Sequence, residues 1–171
     1  MALILEDGTG TVVGANSYGA DAGLVAYWAD RGVTIVQAQP LREASLIKAT
    51  DYLDRRFRWV SCKLLPETQP LQWPRVPFWF QGRIIEGLPV ELVKACYEYA
   101  FRDLSAPLAP DPTVDASGVA VTRKREKVGP IEVETAFSGG SASSSTWKPY
   151  PVADALLRGL YVPEGQRVYR A

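Results

Sequence analysis

Pro40-Leu41-Arg42-Glu43-Ala44-Ser45-Leu46-Ile47-Lys48-Ala49-Thr50-Asp51-Tyr52-Leu53-Asp54-Arg55-Arg56-Phe57 reads as one long helix, and it sets the architecture. Pro40 suits the first turn, where its missing N–H would have had no intrahelical partner. Leu46, Ala49, Leu53 and Phe57 form one apolar stripe. Leu41, Tyr52 and Trp59 form a thinner line roughly a third of a turn away, at ~100° per residue. Two apolar lines mean either deep burial or two different neighbours. In a small domain the second neighbour can be another subunit.

Working outward, Ala20–Arg31 predicts a shorter helix stopped by Gly32, with Ala20, Leu24, Tyr27 and Trp28 on one side. Pro89–Leu104 predicts a third helix, with Val93, Cys96, Tyr97, Ala100 and Leu104 buried. Its wet side is Glu91, Lys94, Glu98 and Arg102, the last two an i, i+4 pair. Between these helices, residues 60–88 have no period and carry Pro66, Pro70, Pro74 and Pro77 among Trp73, Phe78, Trp79 and Phe80. That proline density excludes a helix and a central strand alike. An aromatic loop of this kind lies against its own domain or against a partner. Trp73 is expected to be buried, with Arg75 bonded to a carboxylate or to backbone carbonyls.

Beyond Pro107, Pro110 and Pro112, Val119–Val128 and Ile131–Phe137 flank Gly129-Pro130 and predict a hairpin. Residues 138–146 are a Ser/Gly-rich linker, and Val152–Leu160 offers a last short helix. The fold class is therefore mainly α with an inserted β-hairpin, a small helical bundle with extended N- and C-terminal arms. Residues 1–137 make the domain, with the hairpin at 119–137, and residues 147–171 a C-terminal docking arm.

Composition narrows function by exclusion. The 171 residues suit one domain, and 47% hydrophobic content can build a core. Nineteen basic and nineteen acidic side chains cancel, which removes the global positive field typical of nucleic-acid binders. The absence of histidine excludes Ser-His-Asp and Cys-His mechanisms and His-containing metal sites. Two cysteines, Cys62 and Cys96, fit a reducing compartment, and Cys96 reads as a small core residue. The sequence has neither a membrane-span run nor a signal-peptide pattern, so a soluble, cytoplasm-made protein with no membrane partner is expected. Gly8-Thr9-Gly10-Thr11 lacks the Gly-Lys-Ser/Thr ending of a phosphate loop and reads as a turn in an extended arm. No catalytic residues, cofactor or metal are expected, and the protein is read as a non-enzyme.

Two cationic clusters remain. Arg123, Lys124, Arg125 and Lys127 suggest a nucleic-acid contact, yet a Gly129-Pro130 loop sets Lys127 opposite Glu132 and Arg125 opposite Glu134. That leaves Arg123 and Lys124 as DNA-facing candidates. Arg55, Arg56 and Arg58 beside Phe57 and Trp59 have the interleaving of a single-strand surface, where rings stack bases and guanidiniums neutralise phosphates. The competing reading makes Phe57 and Trp59 core residues, with the arginines favoured at the negative helix end. Asp51 and Asp54 read as solvated partners of these arginines.

Glu6-Asp7-Gly8-Thr9-Gly10 followed by Gly14-Ala15-Asn16-Ser17-Tyr18 resembles the opening of tailed-bacteriophage head–tail connector (adaptor) proteins. The likeness continues through Ala49-Thr50-Asp51-Tyr52-Leu53-Asp54, Arg58-Trp59, Leu71-Gln72-Trp73-Pro74-Arg75, Gly87-Leu88-Pro89, the hairpin Lys127–Val133, and Tyr150-Pro151 with Asp154-Ala155-Leu156-Leu157. Gly19-Ala20 departs from the usual hydrophobic and capping pair. The family is also catalogued as DnaT-like single-stranded DNA-binding proteins. The resemblance implies a virion protein at the head–tail junction, a typically dodecameric ring docked beneath the portal. Such a ring extends the channel for passing double-stranded DNA and receives a neck or tail-completion protein. A closed ring needs two complementary faces per subunit. Candidates for subunit or portal contacts are Leu41, Tyr52, Trp59, Trp73, Phe78, Trp79, Trp147, Tyr150, Leu156 and Leu160. The alternative is a single-stranded DNA-binding protein of phage replication that uses Arg55–Trp59 and the hairpin.

Overall fold

The computed structural model describes residues 2–80, 82–110 and 148–162, together with the backbone of 121–127 and 132–137. Expectations for Trp147, the Ser/Gly linker and the end of the chain lie outside the described residues. The chain divides into two compact units, Met1–Leu108 with Pro149–Ala171, and Ala109–Lys148.

The first unit is helical, with α1 at Asp21–Ala29, α2 at Gln39–Arg56, α3 at Val90–Asp103 and α4 at Pro151–Leu156. Helix α3 is central, packing on α1, α2 and α4. On α2 the expected stripe is the buried one: Leu46, Ala49 and Leu53 are fully enclosed, while Phe57 at the helix end is half-buried. Helix α3 is rotated by about one residue from the expected face. Leu92, Ala95, Cys96, Tyr99 and Ala100 are buried, whereas Val93, Tyr97 and Leu104 are only half-buried. Glu98, expected in water, is buried because Tyr27 Oη donates to its Oε1 at 2.8 Å and Arg102 Nη1 donates to its Oε2 at 2.6 Å. The Glu98–Arg102 pair itself is present as the spacing predicts.

The approach of α1 to α3 depends on two glycines. A Cβ on Gly23 would lie 2.1 Å from Tyr97 Oη, and one on Gly19 2.5 Å from Tyr97 Cε1. The bare backbone thus gives Tyr97 its seat, where it packs against Tyr27 with ring centroids 5.6 Å apart.

The N-terminal stretch closes on itself instead of extending as an arm. Asn16 N donates to Ile4 O at 2.8 Å, Ile4 N donates to Asn16 Oδ1 at 2.8 Å, and Glu6 N donates to Ser17 O at 3.0 Å. Buried Glu6 Oε1 accepts the N–H groups of Gly8 and Gly10, both at positive φ, so the glycine-rich turn is formed around a carboxylate.

Between α2 and α3 lie two minimal antiparallel ladders. Strand β1 (Cys62–Lys63) pairs with β2 (Arg75–Val76), and β3 (Trp79–Phe80) with β4 (Arg83–Ile84). Pro74 and Pro77 flank β2 on both sides, and the Trp73–Pro74 and Val76–Pro77 bonds are cis.

The C-terminal segment corrects the docking-arm expectation. Ala153, Leu157 and Leu160 are fully buried and Tyr150 nearly so, because α4 packs on α3. Beyond α4, Val60 N donates to Leu160 O, Val162 N donates to Arg58 O, and Tyr161 bridges Trp59. These apolar side chains fill the space left beside α3, so residues 149–162 belong to the core.

The second unit contains β5 (Val121–Lys127) and β6 (Glu132–Phe137), paired antiparallel. The register sets Lys127 opposite Glu132 and Arg125 opposite Glu134, as the loop position predicts. An irregularity falls between Val121 and Arg123. The protein is mainly helical with an inserted hairpin.

Candidate functional site

The Arg55–Trp59 cluster and the aromatic–proline loop converge beside the C-terminal end of α2. Their side chains divide into two sets, one used by the core and one left at the surface.

Arg56 belongs to the core. Its Nη1 donates to Tyr52 Oη at 3.0 Å and Tyr99 Oη at 3.2 Å, and its Nη2 donates to Asp154 Oδ2 at 2.9 Å. Tyr99 Oη also donates to Asp154 Oδ1, and Tyr150 N donates to Asp154 Oδ2 at 3.1 Å. Burial, with the bond to Asp154, pushes the Tyr99 phenol far above its ordinary range, so it stays protonated as a donor. This network joins α2, α3 and α4, and it removes Arg56 from any DNA-facing surface.

Trp59 and Trp73 are likewise internal. Trp73 is fully buried, edge-on to Trp59 at 5.8 Å and to Phe78 at 5.0 Å. Phe78 continues to Phe80 at 6.0 Å, and Phe80 in turn meets the backbone at Gly159. Arg75 holds backbone carbonyls as expected, with Nε donating to Val60 O at 2.7 Å and Nη1 to Gln72 O at 3.3 Å. Tyr52, Trp59, Trp73, Phe78, Tyr150 and Leu160 are therefore enclosed by their own chain and present no ring to a neighbour or a base. Leu156 is half-buried.

The polar anchor of this loop joins segments distant in sequence. Tyr18 Oη donates to Asp54 Oδ1 at 2.6 Å and accepts from Gln72 N at 3.1 Å and Trp73 N at 3.2 Å. Gln72 N also donates to Asp54 Oδ2 at 3.0 Å. Asp54 is thus a clamp on the loop, where a solvated partner of the arginines was expected. Burial raises its carboxyl to about 6 against the opposing pull of those hydrogen bonds. Tyr18 to Asp54 is a long-range pair between residues 36 apart in sequence, and no local pattern encodes it.

The surface set is smaller. Arg55 and Arg58 are exposed, Arg55 in a loose i, i+4 contact of 3.9 Å with Asp51. Leu41 is 59% exposed, Trp79 63% and, opposite it in register, Ile84 54%. Arg123 and Lys124 occupy β5 opposite Ala136 and Thr135. Trp147 lies outside the described residues. In the first unit, then, the exposed members of these sets are the cations Arg55 and Arg58 and the apolar side chains Leu41, Trp79 and Ile84. Among the described residues, no three His, Cys, Asp or Glu side chains gather as a metal site, and no helix is long and apolar enough to cross a membrane.

The sequence matches, over residues 1–171, the family described as "Putative DnaT-like ssDNA binding protein". No curated protein and no solved structure matches it.

Proposed function

The chain belongs to the DnaT-like single-stranded DNA-binding protein family, and from that premise we propose that it is a structural head–tail connector of a tailed bacteriophage. In this reading it forms a ring under the portal, extends the DNA channel and joins the head to the neck or tail. The observation that carries the reading is the fate of the Arg55–Trp59 cluster. Arg56 is bound by Asp154, and Trp59 and Trp73 are core rings, so the side chains a stacking groove would need are spent on folding. A balanced charge also suits a wall past which DNA slides, since many phosphate contacts would retain it. The interior of the ring needs no base recognition, and the exterior needs apolar faces such as those at Leu41 and Trp79.

A second reading, single-strand binding in replication, is favoured by the family description and by the four cations of β5. The two readings separate in one pair of assays. A connector assembles as rings on the isolated portal of its phage and binds poly-deoxythymidine weakly at moderate salt. A single-strand binder coats the oligonucleotide, with affinity falling steeply as salt rises, and ignores the portal. Coating without rings would overturn the connector reading.

A further inference from the structure

The β5–β6 unit has two open edges, since among the described residues neither strand has a second hydrogen-bonded neighbour. A lone two-stranded hairpin is marginal in water, and an open edge is a template for another strand. The two edges carry opposite charge. Strand β5 has Arg123, Lys124, Arg125 and Lys127 against Glu126, while β6 has Glu132 and Glu134 with no cation.

From this juxtaposition we infer that the hairpins of neighbouring copies pair edge to edge, β5 of one copy against β6 of the next. The inference rests on the ring-forming reading proposed above. Pairing β5 with β5 would set cations opposite cations, and β6 with β6 acids opposite acids, both unfavourable in directly opposed cross-strand positions. Pairing β5 with β6 repeats across the subunit boundary the alternation already present within each hairpin, Arg125 opposite Glu134 and Lys127 opposite Glu132. In that register Arg125, Lys127, Glu132 and Glu134 each have an opposite charge on both flanks. The contact is head-to-tail, the kind that closes into rings when the rotation permits. Closure leaves no edge exposed, which is how a sheet of alternating strands escapes aggregation. The occupant of each edge is thus a second copy of this chain.

The test uses full-length chains carrying Cys62→Ser, because Cys62 is exposed and unpaired. One chain carries Arg125→Cys, and its partners carry Glu132→Cys, Glu134→Cys or Ala136→Cys, a panel that covers registers on the same side of the strand. Adjacent strands bring Cα atoms within disulfide reach. The chains are mixed, assembled on portal and mildly oxidised, while wild-type rings are scored separately by native mass spectrometry. The expected result is a disulfide-linked dimer in at least one mixture, several-fold above either chain alone. Dimers from the Arg125→Cys chain alone would indicate two-fold pairing and overturn the inference. Wild-type rings without any cross-link in the panel would overturn it and leave the connector reading standing. The absence of rings would remove both. Loss of the cross-link on adding poly-deoxythymidine would assign the β5 edge to nucleic acid and also overturn it.

Discussion

Replacing Asp154 with Asn tests whether the C-terminal helix is part of the core. The carboxylate receives Arg56, Tyr99 and the Tyr150 N–H, and the Arg56 and Asp154 side chains are 13% and 22% exposed. Removing one partner of a fully buried pair costs about 3–5 kcal/mol, because the other charge is left uncompensated. Partial exposure and the acceptor oxygen kept by Asn reduce this to about 2–3 kcal/mol. For a chain of this size each kcal/mol moves the melting temperature by about 2–4 °C, so a fall of about 4–12 °C is expected. The assay is urea and thermal unfolding followed by circular dichroism. Replacing both partners, Arg56→Met with Asp154→Leu, is expected to recover most of the loss, since no charge is then left unpaired. Removing residues 149–171 would uncover the core beside α3 and is expected to abolish cooperative unfolding. An Asp154→Asn melt indistinguishable from wild type, together with a truncated chain that still unfolds cooperatively, would show that α4 is dispensable to the fold.

Trp73→Ala, which empties the centre of the aromatic loop, is expected to cost about 3–5 kcal/mol in urea unfolding. The Asp54 carboxyl is raised to about 6 in the folded chain from an ordinary value of 3.8. The folded state therefore holds the proton more tightly, and its contribution to stability is complete below pH ~4 and lost as pH rises through about 6. Unfolding free energies measured across that window should carry this fall for the wild type, and Asp54→Asn should remove that component. Gly23→Ala drives a methyl into Tyr97 and is expected to destabilise by about 1–3 kcal/mol, seen as a lower denaturation midpoint. In thiol labelling, Cys62 should react at once and Cys96 only on unfolding, since burial pushes the latter to about 12 and encloses it completely.

The parts of the fold visible in the sequence are those with a local period. The stripe Leu46, Ala49, Leu53 placed α2 correctly, and Gly129-Pro130 was enough to fix the hairpin register at Lys127–Glu132. What remained hidden depends on contacts between distant segments. The second apolar line of α2 allowed two outcomes, and the structure divides it, leaving Leu41 in solvent while Tyr52 and Trp59 are buried. Tyr150 and Leu160 look like spare anchors in a tail until α4 is seen to pack on α3. Asp54 illustrates the limit most clearly. It sits among arginines in sequence, yet the helix turns it toward Tyr18 and the Gln72 backbone, and burial decides its chemistry. The arginine-and-aromatic motif was legible as a pattern, but whether its rings face water or the core is settled only by packing.

The most direct measurement is the protein's abundance in purified, mature virions of its phage, by quantitative mass spectrometry against the portal protein. A connector is present in a fixed stoichiometric ratio to portal, and the ratio is unchanged by nuclease treatment or a salt wash. Its absence from virions, with abundance instead in replicating cells on single-stranded DNA, would contradict the connector function.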